Sequence, residues 1–342
     1  MTELSFDVLR RLCDGEFHSG AVLARTLGVS RATVWNAVRT IDTAGLTVHK
    51  VRGRGYRLAE PLSLLDREAI ARHIGAGAKR YVIEVFNTAE STNTLLMQRA
   101  AHGAPSGAVI AAEWQQHGRG RMGRSWHAGL ASALTFSVLW RFSHGAGALG
   151  GLSLAVGLAV IRAFVQLGAQ EARLKWPNDI LWRNRKLAGM LVEMQGDALG
   201  PSTVVIGIGL NVRLSAALKS RIDQPATDLE RACGRVLDRN AVLGVVLAHL
   251  VDALDGFAEE GFAPMREEWQ RYHAHQGRAV AVKLPTGRVQ RGIALGIAED
   301  GALLFQCGDA VRKLHSGEIS LRATKRTQSE SPPKRRRLQS GT

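Results

Sequence analysis

The chain has 342 residues, of which 45% are hydrophobic and 22% charged, a composition typical of a globular protein with enough apolar material for a core. This length predicts two or more domains, and three widely spaced cysteines argue against a disulfide framework or a cysteine-rich zinc site and suit a reducing cytoplasm. The formal net charge of +15 is compatible with a polyanionic partner, but a third of it falls within residues 323–342, so charge alone does not identify nucleic acid.

Neither the N-terminus nor the most apolar stretch of the sequence suggests a membrane protein. The first residues include Glu3 and Asp7 and lack the apolar core of a signal peptide. The most apolar stretch, residues 149–169, contains Arg162 and Gln166 and has helical periodicity. We therefore expect a buried core helix there, no membrane partner and a cytoplasmic location.

Residues 4–58 predict three short helices followed by a hairpin. Ser19 and Ser30 are suited to cap the second and third helices. Two short strands, at 46–50 and 55–58, flank a basic turn. This order is typical of a winged helix-turn-helix, which we assign to residues 1–61.

In that fold the third helix contacts DNA bases and the wing contacts phosphates. Val34, Val38 and Ile41 are expected to pack inward. The candidate DNA-binding residues are Arg31, Thr33, Trp35, Asn36 and Arg39 on the helix and Arg52 and Arg54 in the wing. A small helical protein–protein module remains the alternative.

The segment 108–126 contains the most informative motif. Gly118, Gly120 and Gly123 satisfy the pattern GxGxxG of dinucleotide-binding folds. That fingerprint requires a helix directly after the glycines and an acidic residue about 20 positions later. Here residues 130–141 predict a strand and no acid lies near position 143, so the dinucleotide interpretation fails.

The same loop carries Arg119, Arg121 and Arg124 among its glycines. Glycines let backbone N–H groups approach an anion, and guanidinium groups match the oxygens of phosphates and carboxylates. The loop therefore suits a ligand bearing both anion types, as in acyl-adenylate formation. A flexible solvated loop is the alternative.

Three later segments support an anionic ligand. The motif KWPND at 175–179 predicts a rigid turn in which Asp179 holds a metal, orients a base or caps the turn. The motif RKLAG at 185–189 places Lys186 at the start of a strand spanning 190–194. Alternate glycines at 207 and 209 leave one face of a buried strand bare, so another backbone or a flat ligand is expected to approach it.

Together these motifs resemble the biotin–protein ligases. The segments are STN at 91–93, GRGRMGRSW at 118–126, KWPND at 175–179, RKLAG at 185–189 and GIGLN at 207–211. With the N-terminal helices, the chain is similar to the bifunctional form that also represses the biotin operon. The resemblance covers about residues 4–322.

The resemblance implies an α+β multidomain protein. The winged helix-turn-helix is followed at 62–274 by a mixed sheet like that of class II aminoacyl-tRNA synthetases, with helices on one side. An SH3-like β-barrel follows at 275–322, where we expect strands at 279–284, 289–298, 303–307 and 310–314. The tail at 323–342 is expected to be disordered, either simply solvated or in loose electrostatic contact with DNA.

The implied reaction has two steps. The carboxylate of biotin attacks the α-phosphate of ATP, giving biotinyl-5′-AMP and pyrophosphate. The lysine of a biotin carboxyl carrier domain then attacks the mixed anhydride and AMP leaves. The family also implies Mg²⁺, operator DNA and a homodimer.

The resemblance assigns roles to particular residues. The biotin-binding set is Ser91, Thr92, Asn93, Gln115, Arg119, Gly120, Arg121, Lys186, Gly207 and Gly209. The nucleotide-binding set is Arg119, Arg121, Trp126, Asn178, Lys186, Asn211 and Arg322, the last in a motif shared with Glu318. The catalytic set is Lys186, Arg121 and Asp179, of which Asp179 would hold Mg²⁺ or meet the incoming lysine.

The sequence departs from the family pattern at two places. Met122 stands where the family often has a polar or basic residue, and residues 213–230 match a ligand-covering segment only in length, with Pro225 interrupting it. Leu214, Leu218 and Ile222 are candidate covers in that segment.

Two rival functions remain. A non-catalytic biotin sensor is disfavoured by Lys186 and Arg121. A lipoate-type ligase is disfavoured by the STN motif.

Overall fold

A computed structural model of the chain describes residues 1–196, 200–283, 289–315 and 320–323, with residue 217 and the last four described by their backbone only. Glu318, the Arg322 side chain and the tail at 324–342 lie outside the described residues, so the predictions made for them stay predictions.

The N-terminal part contains the expected helices and hairpin. Helices α1 (Glu3–Leu12), α2 (Gly20–Thr26) and α3 (Arg31–Thr43) precede strands β1 (Val48–Val51) and β2 (Gly55–Leu58), which pair antiparallel. Ser19 and Ser30 cap α2 and α3 through their side-chain oxygens, as predicted. The core forms where Val34, Val38 and Ile41 of α3 meet the buried residues of α1, because their helical spacing puts them on one face.

The central part is built around a seven-stranded mixed sheet. Its helices are α4 (Arg67–Ile74), α5 (Thr92–Ala101), α6 (Leu152–Leu167), α7 (Ala216–Lys219), α8 (Leu229–Cys233), α9 (Arg239–Glu260) and α10 (Arg266–Arg271). The strands of the chain here are β3 (Val82–Ala89), β4 (Ala108–Gln115), β5 (Gly118–Arg119), β6 (Ser125–Trp126), β7 (Ala133–Phe142), β8 (Ala172–Lys175), β9 (Asp179–Trp182), β10 (Arg185–Gln195) and β11 (Ser202–Asn211). The sheet order is β3-β4-β7-β11-β10-β9-β8, with only β3 and β4 parallel among the described pairs, while β5 and β6 form a separate small hairpin.

The two faces of the sheet carry different helices. Val204 and Ile206 of β11 point into the large core that contains α6 and α9, whereas Val205 points into a smaller cluster with Leu96 of α5. The period-two alternation of a strand accounts for this division. The expectation of helices on one side only was therefore wrong, because α5 packs on the opposite face.

Two long apolar helices form the core side. Helix α6, the most apolar stretch of the sequence analysis, is buried along nearly its whole length and ends at Gly168, whose φ of 110° favours glycine. Within the described part of the chain, α9 alone is long and apolar enough to cross a membrane, but 56% of its most apolar window is buried against the protein. It packs on α6 and α4 as a core helix does.

The C-terminal part is a five-stranded antiparallel sheet. Its strands are β12 (Arg278–Lys283), β13 (Val289–Ile297), β14 (Leu303–Cys307), β15 (Ala310–Leu314) and β16 (Ser320–Ala323). Their order is β15-β14-β13-β12-β16. Four of these strands lie within one or two residues of the predicted positions. The fifth, β16, was not predicted.

Candidate active site and DNA-facing surface

A cleft of about 1000 Å³ opens on the α5 face of the sheet. It lies where the N-terminus of α5, the glycine–arginine loop of residues 118–124, the turn between β8 and β9, and strands β10 and β11 converge. Thirteen predicted residues line it: Ser91, Thr92, Asn93, Gln115, Arg119, Gly120, Arg121, Trp126, Asn178, Asp179, Lys186, Gly207 and Gly209. Residues spread over more than a hundred positions of sequence thus meet at one site.

One end of the cleft is lined by short polar side chains in a fixed arrangement. The backbone N–H and the hydroxyl of Thr92 both donate to Gln115 Oε1, at 2.9 and 3.1 Å. Ser137 Oγ lies 2.8 Å from Thr92 Oγ1 and donates to Asn93 Oδ1 at 2.6 Å. Ser91 caps α5 by accepting from the N–H of Thr94. Buried polar groups that bond one another in this way keep one orientation, which suits recognition of a small polar ring.

The two glycines of β11 make room for side chains of the protein itself. A Cβ at position 207 would lie 2.2 Å from Asn93 Oδ1, and one at position 209 would lie 2.5 Å from the Trp126 ring. The sequence predicted the approach of a backbone or of a flat ligand. Within the structure it is Asn93 and Trp126 that approach, and these two residues line the cleft in turn.

The glycine–arginine loop folds back on itself beside the cleft. The N–H of Gly120 donates to the carbonyl of Arg124 at 2.7 Å, and β5 pairs with β6 across the loop's base. Met122 is 66% exposed and has a φ of 58°. Arg121 turns inward, donates to Asn178 Oδ1 at 3.3 Å, and has its pKa lowered by burial. Its charge is therefore desolvated and available to an anion in the cleft.

Arg119 behaves differently from Arg121. Its guanidinium donates twice to the carboxylate of Glu193, at 2.8 and 2.9 Å, and the side chain is 48% exposed. Arg119 lines the cleft, and its side-chain charge is matched by Glu193. Sequence reasoning missed Glu193, since no motif marks it.

Three charged residues form the centre of the cationic end of the cleft. Lys186 Nζ lies 2.6 Å from Asp179 Oδ1, and Lys175 Nζ lies 3.5 Å from Asp179 Oδ2. All three side chains are at most 20% exposed. Burial lowers the pKa of Lys175, against the opposing effect of Asp179. One carboxylate thus shares two buried ammonium groups, which leaves a net positive charge facing the cleft.

The same arrangement argues against a resident metal. Both oxygens of Asp179 already contact lysine ammonium groups. No cluster of three or more potential metal-ligating side chains occurs among the described residues. A preformed Mg²⁺ site on Asp179 therefore does not fit, because Mg²⁺ prefers several oxygen ligands and two ammonium groups repel it.

The segment 213–230 lies against the backbone of Lys186. The N–H of Lys186 donates to the carbonyl of Pro225 at 2.8 Å, and the N–H of Thr227 donates to the carbonyl of Lys186 at 2.9 Å. The strand register shifts between Lys186 and Ala188. Gln224 from this segment lines the cleft, whereas of the predicted covers only Leu214 is buried. Pro225 supplies a carbonyl here and does not break the segment's contact with β10.

One predicted ligand contact does not reach the cleft. Asn211 is 2% exposed, donates to the carbonyl of Thr227 at 3.0 Å and does not line the cleft. Its Oδ1 is buried without a hydrogen-bond partner among the described residues. Asn211 therefore ties the segment 213–230 to β11 in this structure, and its role beside a nucleotide stays a prediction.

Other cleft-lining residues lie within the predicted motifs but were assigned no individual ligand contact: Met122, Arg124, Ser125, Lys175, Trp176, Pro177, Gly189 and Ile208. Sequence reasoning missed the cleft-lining residues outside the motifs, which are Thr135, Phe136, Met190, Leu191 and Gln224. A usable signal existed for β7, where Thr135 and Ser137 interrupt an otherwise apolar strand at a spacing of two. Polar residues on one face of a buried strand indicate a ligand or a hydrogen-bond network.

A second cationic surface lies on the N-terminal part. Arg31, Trp35, Asn36 and Arg39 are exposed on α3, and Arg52 and Arg54 are exposed in the turn between β1 and β2. Arg39 lies 4.7 Å from the centre of the Trp35 ring, and Arg54 lies 4.1 Å from that of Phe17. Thr33 is half-buried, and its hydroxyl bonds Ser30 at 2.8 Å, so it serves the helix cap.

Comparison with known proteins agrees with this division. The model of the biotin/lipoate A/B protein ligase family matches residues 85–211. An HTH domain matches residues 5–57, and the biotin protein ligase C-terminal domain matches residues 275–322.

Relatives match over most of the chain. The bifunctional ligase/repressor BirA of Escherichia coli is 36% identical over 92% of this chain and 96% of its own length. The biotin–[acetyl-CoA-carboxylase] ligase of Mycobacterium tuberculosis is 34% identical over 77% of this chain and 97% of its own. The structure of biotin protein ligase from Aquifex aeolicus in complex with biotin and ATP has a TM-score of 0.61 at 28% identity, covering 71% of this chain and 99% of that one.

The fold and the cleft therefore define a ligase with an appended helix-turn-helix domain, and the chain belongs to the biotin–protein ligase family. Its likeness to the Escherichia coli protein continues through the N-terminal domain, so among family members it is similar to the bifunctional ligase/repressor form.

Proposed function

We propose that the protein is an ATP-dependent biotin–protein ligase that also represses the biotin operon by binding operator DNA. The observation that carries the ligase assignment is Lys186 at 2.6 Å from Asp179, beside a loop rich in glycine and arginine. A buried ammonium next to flexible backbone donors stabilises charge that develops between a carboxylate and a phosphate.

In this proposal the polar end of the cleft binds the ureido ring. Ser91, Thr92, Asn93 and Gln115 supply short donors and acceptors. Of these, Thr92 and Asn93 are held by Ser137, and Gln115 is held by Thr92. The valeryl chain then runs along β11 towards Lys186, past Trp126, whose ring lies 5.8 Å from Lys186 Nζ. This orientation brings the carboxylate to the cationic end.

The first step forms one bond and breaks one. A carboxylate oxygen of biotin attacks the α-phosphorus of ATP, and pyrophosphate leaves with the electrons of the broken P–O bond. Lys186 and Arg121 neutralise the charge shared by the carboxylate and the α-phosphate, while Asp179 orients Lys186 until the ligand arrives. Mg²⁺ enters with ATP as part of the nucleotide substrate, and Asn178 and Trp126 border the nucleotide.

The second step transfers biotin. The amine of a lysine on a biotin carboxyl carrier domain attacks the acyl carbon of biotinyl-5′-AMP, and AMP leaves with the anhydride oxygen. An amide bond to the acceptor lysine results.

The repressor assignment uses the exposed residues of α3 and the hairpin. Arg31, Trp35, Asn36 and Arg39 face the major groove in this proposal, and Arg52 meets backbone phosphates. We describe the N-terminal domain (1–61) as a winged helix-turn-helix and the central domain (62–274) as related to class II aminoacyl-tRNA synthetases. The C-terminal domain (275–322) is described as SH3-like. We further propose a cytoplasmic enzyme that dimerises on DNA, with its cysteines free as in a reducing compartment.

The test is ATP–pyrophosphate exchange by the purified protein with and without biotin. Exchange that requires biotin supports the ligase, whereas exchange that requires lipoate would support the rival ligase. Absence of exchange together with tight biotin binding would support the non-catalytic sensor. Binding of the protein to its own biotin operator, measured in parallel, tests the repressor.

A further inference from the structure

Glu193, on β10, contacts two elements that the ligand site needs. Its Oε2 accepts from Asn93 Nδ2 at 2.8 Å, and its carboxylate accepts twice from Arg119, at 2.8 and 2.9 Å. Asn93 belongs to the start of α5, and Arg119 belongs to the glycine–arginine loop. A single side chain therefore adds a charged contact between two segments that already meet at the base of the loop, where Thr92 donates to Gln115 and the N–H of His117 donates to the carbonyl of Glu90.

This contact completes a continuous polar chain along the cleft. It runs from Gln115 through Thr92, Ser137 and Asn93 to Glu193, and from there to Arg119. Each link is 3.1 Å or shorter. Hydrogen-bonded groups in such a chain restrict one another, so a change at one end is felt at the other.

The geometry distinguishes the Glu193–Arg119 pair from an ordinary surface ion pair. Glu193 is 29% exposed, and its second partner, Asn93, is 4% exposed and cannot shift towards β11 without meeting Gly207. This pairing holds Arg119 at the start of the loop, while Arg121 two residues later reaches Asn178 in the cleft.

We infer that Glu193 is a positioning residue that couples occupancy of the ring-binding end of the cleft to closure of the glycine–arginine loop over the cationic end. A ligand that hydrogen-bonds to Asn93 restricts the orientation of the Asn93 amide. Glu193 transmits this restriction to Arg119. This inference rests on the proposed biotin ligase function and adds a residue that does not itself line the cleft.

The test is the variant Glu193→Gln, which keeps an oxygen for Asn93 but removes the charge that holds Arg119. We expect the KM for biotin in pyrophosphate exchange to rise about five- to tenfold, the size of a charge-assisted bond discounted for partial exposure. Biotin should also lose its ability to protect the loop from trypsin, which cleaves after Arg119, Arg121 and Arg124. A merely structural role would alter stability without removing this ligand-dependent protection.

The matched control is Glu171→Gln. Glu171 also accepts twice from one arginine, Arg183, at 2.9 and 3.0 Å, but on an exposed turn that does not line the cleft. This variant should show the wild-type KM and wild-type protection.

A double-mutant cycle checks the partner. Arg119→Gln alone should reproduce the loss, and the double variant Arg119→Gln/Glu193→Gln should be no worse than either single one. Arg119→Gln also provides the readout if Glu193→Gln does not fold, because Arg119 is half exposed.

The outcomes separate the two proposals. If the wild-type protein shows biotin-dependent exchange and Glu193→Gln has the same KM and the same trypsin protection, the coupling is overturned. The ligase function then still stands. Wild-type protein with no biotin-dependent exchange overturns the proposed function and the coupling with it.

Discussion

The ligand cleft and the DNA-facing surface are both cationic, but their charges stand in opposite environments. Lys186, Lys175 and Asp179 are at most 20% exposed and lie in mutual contact. Arg31, Arg39 and Arg52 are exposed, and among the described residues none of them makes an ion pair. Desolvated charges act strongly and over short distances, whereas solvated ones act weakly and are screened by salt.

This difference fits two kinds of ligand. A small anion enclosed in a cleft requires a few strong and rigid interactions. A DNA duplex presents a long row of phosphates, so many weak interactions add up and each releases counterions. The comparison therefore predicts large effects from single substitutions in the cleft and moderate, salt-dependent ones on the N-terminal domain.

The largest effect is expected from Lys186→Ala. Removing this ammonium deprives the reacting carboxylate and phosphate of their closest cation, so biotin-dependent pyrophosphate exchange should fall roughly 10²- to 10³-fold. The exposed Lys79 lies outside the cleft, and Lys79→Ala should keep wild-type exchange. Equal rates for the two variants would remove Lys186 from the catalytic set.

Gly207→Ala should have the next largest effect. The new methyl group would overlap Asn93, which Ser137 and Glu193 hold in place, and overpacking of this kind costs about 1–3 kcal/mol. The KM for biotin should therefore rise about tenfold or more in exchange assays. No atom lies within 4 Å of a Cβ at Gly147, so Gly147→Ala is the control, and the same KM change in both would contradict the packing argument.

These two predictions rest on features that the sequence revealed to different degrees. The glycine–arginine loop was predictable because glycine and arginine have local conformational and chemical signatures, whereas the roles of the STN motif and of Lys186 came from the family resemblance. The N-terminal helices, α6 and four strands of the C-terminal sheet followed from local patterns. The central mixed sheet was expected from the resemblance alone, and the face on which α5 packs was not foreseen.

Other features depend on contacts between residues far apart in the chain. Glu193 comes within bonding distance of Arg119 only through the register of β10, and no local pattern marks it. Asn211 was expected beside a ligand, yet it bonds the carbonyl of Thr227 instead. Lys175 belonged to the KWPND motif but was assigned no role of its own, because a lysine before a turn resembles a surface residue until the fold buries it.

On the DNA-facing side, Arg31→Ala should weaken operator binding by about tenfold and lower the slope of log affinity against log salt by about one. Exchange activity should not change. Arg54→Ala should cost less in salt dependence, because the Arg54 guanidinium already lies on the Phe17 ring. The exposed Arg72 of α4 is the control, and equal loss by Arg72→Ala would indicate a general charge effect.

The smallest effect concerns pH and stability. Burial lowers the pKa of Lys175 in the folded protein below its value of about 10.5 in the unfolded chain. Between these two values the unfolded state binds more protons, so this group makes the free energy of unfolding rise with pH, by at most about 1.4 kcal/mol per pH unit.

Urea denaturation across this window measures that contribution as the difference between wild type and Lys175→Met. Cys13 gives a slope of opposite sign, because burial raises the pKa of its thiol to about 11, but it is present in both proteins and cancels. Parallel curves for the two proteins would show that Lys175 titrates normally.

The central claim is that the cleft joins biotin to ATP and passes it to a lysine. Mass spectrometry of a biotin carboxyl carrier domain, after incubation with the protein, biotin, ATP and Mg²⁺, tests this most directly. We expect one added biotinyl group on a single lysine with the wild-type protein and a nearly unmodified carrier with Lys186→Ala. A carrier that stays unmodified with the wild-type protein, or is modified equally by both, would contradict it.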